Sequence, residues 1–443
     1  MDDEIPADLV HALERAAELE HAVLLQYLFA AASLRRRPGP GLGLLQLERI
    51  RGWERTLLAI AREEMAHLAA VSNLLIAVGA APWLVRPGLP GGRLGRARSP
   101  LAGADSPPGG DDREALVLER FGPRSLARFI GLERQEAGAA RVDGAAAGPG
   151  AGEGVNVETG AGVGTISGHY ASIKGEIGRL AAEGQAVVRE PALDVVDGWR
   201  ISGAAHFPAV TDAASALEVI DAIVGQGAGL GAEDPDSHLA RLLTIEAELG
   251  REDAGLDPAQ QVVSDPILAP AAGAGSGEAA GAGAGPGRGE GDGDGDGEGT
   301  LVSDPRTVVV AGAFAAVYQA MTLLLELYHP LLAAGPRAAV GARRVAQGLM
   351  TGVLRPLGEV LAELPVGEAA PGWSCGPTFA WDPGIRLGED RRESWALLGG
   401  MLAGAAAGLG AVAGDGGPPR LAALAENVGL ASRLVAATGG LDI

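Results

Sequence analysis

"LLAIAREEMAHLAAVSNLL", residues 57–75, decides how this chain is read. Leu57, Ile60, Glu64, His67, Val71 and Leu74 recur at steps of three and four, the spacing of one face of an α-helix. Four of the six are apolar, so that face is predicted to be buried. Glu64 and His67 stand in its middle, where leucines belong. Burying an unpaired ion costs on the order of several kcal/mol even after relaxation, so both side chains need partners. Taken alone, Glu-x-x-His reads equally well as a mutual pair, a neutral imidazole hydrogen-bonded to carboxylate or backbone.

The helix before it adds a third buried charge. Residues 7–36 are amphipathic, with Leu13, Ala17, Glu20, Leu24 and Tyr27 along one stripe. RRRPGPGLG (35–43) interrupts them with Pro and Gly, and a second helix is predicted over 44–79. An antiparallel hairpin brings Glu20 level with residue 60, about 6 Å along the axis from Glu64. Two carboxylates placed together without a cation repel each other and raise a pKa. A metal ion removes the conflict, and helical bundles that bind two irons or manganeses use one Glu from a helix and Glu-x-x-His from its partner. Oxygen-rich ligands with an imidazole suit iron or manganese better than a structural zinc. Glu20, Glu64 and His67 are therefore candidate metal ligands, and His238, early in a later helix above Leu242 and Ile245, is a fourth. His169, Glu176 and Glu133 are weaker ligand candidates, the first two read rather at the borders of solvated faces, and Glu63 is read as a solvated neighbour off the stripe. Tyr27 is read as core packing, with a pocket-shaping or radical role as the alternative.

Further helices are predicted near 123–137, 165–184, 211–229, 234–249, 307–329, 337–363, 391–409 and 419–437, with almost no strand signal. In the 211–229 helix Thr211 or Asp212 is the expected cap; in the 234–249 helix Pro235 and Asp236 suit the first turn. Residues 140–164 are mostly Gly and Ala and read as a flexible insertion. Residues 270–300 are low complexity and cannot bury enough apolar surface to offset their chain entropy. Their GDGDGDGEG resembles a calcium loop, but counting from Asp292 the twelfth position is Ser303 rather than Glu. A solvated acidic linker is the expected reading. The organisation expected is thus a helical bundle over 1–269, a linker over 270–300, and a C-terminal helical region over 301–443 packing on the bundle. The loops at 82–113 and 371–382 are long enough to cover a pocket.

The chain has 443 residues, 21% of them charged, with a formal net charge of −21, which argues against nucleic acid as a partner. No apolar run is read as reaching the roughly 20 residues of a membrane span, and the acidic N-terminus lacks the order of a signal peptide. The single cysteine, Cys375, excludes an internal disulfide framework and fits a reducing cytoplasm. Aromatics are only 4% of residues, which favours helices packed through small side chains. The class expected is all-α.

Several segments together resemble the ferritin-like family typified by iminophenyl-pyruvate dimer synthase of bisindole pigment pathways. They are "ELEHAVLLQYLFA", "EEMAHLAAVSNLLIAVGAAPWL", "TISGHYASI", "IVGQGAGLG", "SHLARLLTI", "FAAVYQAMTLLLEL" and "GPTFAW", in the family's order across residues 8–382. The resemblance implies a ferritin-like bundle with added C-terminal helices, and an oxidoreductase of specialised metabolism that couples amino-acid-derived imines supplied by an amino-acid oxidase. It places Glu20, Glu64 and His67 on metal-binding positions and matches His238 to a family histidine. The family usually reads Q-G-E-G where this chain has Gln226-Gly227-Ala228-Gly229, an aromatic where it has Leu239, and an acidic or amide residue where it has Gly168. One metal ion is therefore open as well as two, and so are homo-oligomer formation, a non-catalytic bundle with an incomplete site, and metal storage. Storage fits least, because it wants a small subunit that assembles into a shell.

Overall fold

The computed structural model describes residues 5–39, 41–84, 117–140, 166–189, 207–229, 234–252, 256–269, 299–334 and 336–442. Helices α1 (Ala7–Ser33), α2 (Leu44–Ala77), α3 (Pro123–Ala140), α4 (Ile166–Ala182), α5 (Ala213–Val224) and α6 (His238–Leu249) precede α7 (Pro305–Ala334), α8 (Pro336–Leu349), α9 (Arg355–Leu361), α10 (Arg391–Gly414) and α11 (Arg420–Asp442). The fold is all-α, and among the described residues the strands amount to a two-residue parallel pair, Pro266–Ile267 with Thr300–Leu301. Apart from their edges, the expected insertion at 140–164 and the acidic linker at 270–300, with its calcium-like repeat, lie outside the described residues. So does most of the 82–113 loop.

Two local predictions are corrected. The 211–229 helix is α-helical only to Val224, and Gly225–Gly229 then continues as a π-helical turn. Asp212 is its cap, accepting from the Ser215 backbone N–H at 2.8 Å. The next helix begins at His238, because Ser237 caps it through the Ala240 N–H. Ser, not Pro235 or Asp236, therefore fixes the start, and it puts His238 in the first turn.

α1 and α2 pack as the expected hairpin and pass through two apolar clusters. Leu9 to Ala17 of α1 and Ala66 to Val78 of α2 join a core shared with α4, α5 and α7 to α11. Val23, Leu24, Tyr27, Ala30 and Ala31 of α1, on the face opposite Leu25 and Phe29, join Leu47 to Ala61 in a second cluster with Phe121, Phe129 and Leu242. Glu20, Glu64 and His67 lie where one cluster gives way to the other. The helices are held by apolar packing on both sides of that level, so the charged layer between need not stabilise the hairpin itself.

Against the expectation drawn from the sequence, α7 over Pro305–Tyr328 and α10 over Arg391–Gly414 are long and apolar enough to cross a membrane by length and composition. From Trp395 to Gly414 there is no charged residue; abundant Ala and Gly obscured the run. The α7 window is 72% buried within the protein and that of α10 28%. The 371–382 segment does not cover the site. It packs on the C-terminal half of α1 and on α7: Phe379 stacks on Phe314 and Tyr318, and the Asp382 N–H donates to Gln319.

Candidate metal centre

Glu20 comes from α1, Glu64 and His67 from α2, Glu133 from α3 and His238 from α6. Each is 5% exposed or less. Two trios form, Glu20–Glu64–His67 and Glu64–Glu133–His238, and in each the candidate ligand atoms lie within 4.8 Å of one another. Glu64 belongs to both. Its Oε2 is 3.1 Å from His67 Nδ1 and its Oε1 is 3.2 Å from His238 Nδ1. His67 Nδ1 also lies 3.4 Å from Glu20 Oε2, and His238 Nδ1 lies 3.3 Å from Glu133 Oε1.

Both imidazoles therefore turn Nδ1 inward and are held by Nε2 from outside. His67 Nε2 is 3.1 Å from Gln226 Oε1, on the π-helical turn. His238 Nε2 is 2.8 Å from Glu63 Oε2, and the Arg241 guanidinium donates to both Glu63 oxygens. Because an amide oxygen and a carboxylate can only accept, each outer bond fixes a proton on Nε2; the inner nitrogen, which also faces carboxylates, needs either a second proton or a metal ion to accept its lone pair. The two outer carboxylates are held in the same manner: Tyr170 donates to Glu20 Oε1 at 2.6 Å, and Tyr27 donates to Glu133 Oε1 at 2.8 Å.

Three carboxylates and two inward nitrogens thus converge in a dry interior. Burial pushes the Glu20 carboxyl up to about 7, against the pull of His67. Burial alone would lower His67, yet hydrogen bonds with Glu20 and Glu64 hold it up at about 10. His238 is raised for the same reason, despite its burial, by Glu133, Glu63 and Glu64. Burial works against the Glu64 carboxylate too, but the two imidazoles hold it far below the usual range. Protons can hold this cluster together only by turning the imidazoles into cations. The donor set fits a divalent metal, whose charge does the same work without protons and whose ligands are carboxylate oxygens and neutral imidazole nitrogens.

Glu133 corrects the sequence reading: it is buried in the second trio. Its signal was available in α3, since Phe129, Ile130 and Glu133 share the buried face. Glu63 is also corrected, from solvated neighbour to outer partner of His238. His169 is buried, not at a solvated border, but lies away from the centre with Nε2 on the Ala12 carbonyl at 2.7 Å. Glu176 pairs with Arg179 at the surface. Tyr27 packs on Phe129 and holds Glu133. A cavity of about 20 Å³, enough for a water-sized species, borders Glu20, Glu64, His67 and Glu133; Val23, Leu132, Ile223 and Gly227 are among its other walls.

Comparison with known proteins bears on the family and the fold. The family described as ferritin-like matches residues 13–247. The chain is 28% identical over 417 residues to 2-imino-3-(indol-3-yl)propanoate dimerase of Chromobacterium violaceum, covering 87% of this chain and 35% of that protein. It is 28% identical over 424 residues to dichlorochromopyrrolate synthase of Lentzea aerocolonigenes, covering 85% of this chain and 36% of that one. The chain thus spans about a third of the length of these curated relatives. No solved structure matches it.

Proposed function

This chain belongs to the ferritin-like family, and from that premise we propose that it is a metal-dependent oxidoreductase of specialised metabolism. Its substrate would be a small amino-acid-derived imine, coupled oxidatively, as the names of its relatives suggest. The observation that carries the reading is the position of Glu64, with one oxygen toward each of two inward-facing imidazoles. A shared carboxylate between two nitrogen–carboxylate pairs suits two metal ions; three carboxylates with two imidazoles favour iron or manganese.

Glu20 and His67 would hold one ion, Glu133 and His238 the other, and Glu64 both. Iron or manganese there supplies one-electron redox chemistry toward dioxygen or peroxide. The protein's share is positional. Tyr170 and Tyr27 fix the outer carboxylates, Gln226 and Glu63 fix the imidazoles, and apolar walls keep bulk water from the cavity. A space of about 20 Å³ accepts water, dioxygen or peroxide; an indole-sized imine must react at its mouth or open it. An amino-acid oxidase is the natural source of such an imine. A cytoplasmic setting agrees with the lone thiol of Cys375, which burial pushes up to about 12.

The competing reading is a non-catalytic bundle whose buried charges satisfy one another. Ala228, which offers no ligand where the resemblance leads one to expect a glutamate, favours it. Metal content separates the two. Protein produced in iron- and manganese-supplemented medium is expected to hold about two metals per chain, and Glu64→Ala to hold none. Oxygen uptake with indole-3-pyruvate imine, absent in Glu64→Ala, completes the test. A wild-type chain free of metal under every condition leaves the inert bundle.

A further inference from the structure

The two halves of the centre differ in what stands behind the imidazoles. Behind His238 is Glu63, a carboxylate 2.8 Å from Nε2 and fixed by Arg241. Behind His67 is Gln226, a neutral amide at 3.1 Å. A carboxylate accepting the outer N–H makes the inner nitrogen a more basic ligand than an amide does, and it adds negative charge near a dication. Arg241 trims the long-range share of that charge, but it also locks the carboxylate in place, so the hydrogen-bond share remains.

The second difference is access. The cavity borders the shared Glu64 and both Glu20 and His67 of one side; of the other it borders Glu133 but not His238, which is fully buried. Gln226 also rides on the Gly225–Gly229 π-helical turn, while Glu63 and Arg241 belong to regular α-helices. π-helical turns are often found at functional sites. The better-supported imidazole is thus the enclosed one, and the less supported one faces the space where an exogenous ligand can arrive.

We propose that the two metal subsites are unequal: the Glu133–His238 side binds its ion tightly and fills first, and the Glu20–His67 side binds loosely and is the one that exchanges and meets small ligands. The proposal rests on the metal-centre reading above and adds an order to it. Glu63 and Gln226 are positioning residues that set the difference through the histidines they hold.

Cobalt(II) titration of the metal-free 443-residue chain, followed by visible absorption and by equilibrium dialysis, tests this. Wild type is expected to load in two steps separated by about tenfold or more. Glu63→Gln should loosen the first step by about 10–100-fold, the usual effect of an altered outer partner, and leave the second unmoved. Gln226→Glu should tighten the second step, a gain that simple damage to the fold does not produce. His238→Ala should abolish the tight step and His67→Ala the loose one. Two steps of equal affinity, unmoved by Glu63→Gln and Gln226→Glu, overturn the ordering while leaving the metal centre intact. So does loss of the tight step in His67→Ala. If wild type binds a single ion, its loss in His238→Ala supports the proposal and its loss in His67→Ala sinks it. No cobalt bound to wild type removes the centre and the ordering together.

Discussion

Tyr27 and Glu133, 106 positions apart in sequence, meet through a hydrogen bond of 2.8 Å from the phenol to Oε1. Tyr27 sits on the buried stripe of α1, and its ring packs on Phe129, one helical turn before Glu133 on α3. One side chain thus fixes both the α1–α3 contact and the direction of a candidate ligand. Tyr170 does the same for Glu20 from α4. Removing either hydroxyl takes a hydrogen-bond donor from a buried carboxylate oxygen, at a cost of about 1–3 kcal/mol. Tyr27→Phe and Tyr170→Phe are each expected to lower the unfolding free energy of the metal-free protein by that amount, read as a lower denaturant midpoint with an unchanged slope. Urea unfolding followed by circular dichroism measures it. Stability equal to wild type in both variants removes the positioning role.

His169 serves as the internal control for the assignment of ligands. It is as buried as the site histidines, but its Nε2 is bonded to the Ala12 carbonyl and burial lowers its pKa. That partner is a backbone carbonyl and not a carboxylate. His169→Ala should lose about 1–3 kcal/mol from an unsatisfied carbonyl and a small void, with metal content per chain unchanged. Metal analysis beside thermal unfolding distinguishes this from a ligand. A His169→Ala protein that folds normally and holds less metal would show that the centre extends further than described.

How much of this could be read in advance depended on what kind of signal each residue carries. The α1–α2 hairpin and the convergence of Glu20, Glu64 and His67 were legible because long periodic helices with a short Pro–Gly break leave little freedom in register. Glu133 had only the buried stripe of Phe129, Ile130 and Glu133 to mark it, and the side chains that meet it, Tyr27 of α1 and His238 of α6, lie far away in sequence. Glu63 was misread for a related reason. Helical periodicity places it off the buried stripe of the hairpin, which is correct, but a third helix, α6, covers that flank with His238 and Arg241. The π-helical turn left no trace in a periodic pattern, because GQGAG is as compatible with a simple helix stop. Burial on one face is local information; the identity of the covering element is not.

Gly376, in the GPTFAW segment, takes a left-handed conformation at φ 80°, and an added Cβ would lie 2.6 Å from Val262 Cγ1 and 2.9 Å from Phe29 Cζ. Phe29 is on α1, about two and a half turns along from Glu20, so this contact ties the C-terminal segments to the helix that carries a candidate ligand. Gly376→Ala meets both penalties, about 1–2 kcal/mol for the backbone and about 1–3 for overpacking. A lowered melting temperature is expected, by at least several degrees in differential scanning calorimetry. An unchanged melting temperature contradicts the close approach.

The protons held by the centre give its stability a pH dependence that metal should reverse. Glu20, raised by burial from 4.5 to about 7, and His67, raised by its carboxylate neighbours from 6.5 to about 10, bind protons more tightly folded than unfolded. Their contribution is present in full below the unfolded values. It is lost as pH rises, for Glu20 between about 4.5 and 7 and for His67 between 6.5 and about 10. Glu64, held low, acts in the opposite sense and matters only on acidification below about 4.5. From pH 6 to 9 the metal-free protein should therefore lose stability. A metal ion must displace those same protons, so its affinity should climb about tenfold per pH unit for each proton released. The stabilisation by a fixed concentration of manganese(II) should then grow over the same range. Thermal unfolding at pH 6, 7, 8 and 9, with and without manganese, reads both slopes. A manganese-induced shift that stays flat or shrinks as pH rises means the ion binds somewhere other than this cluster.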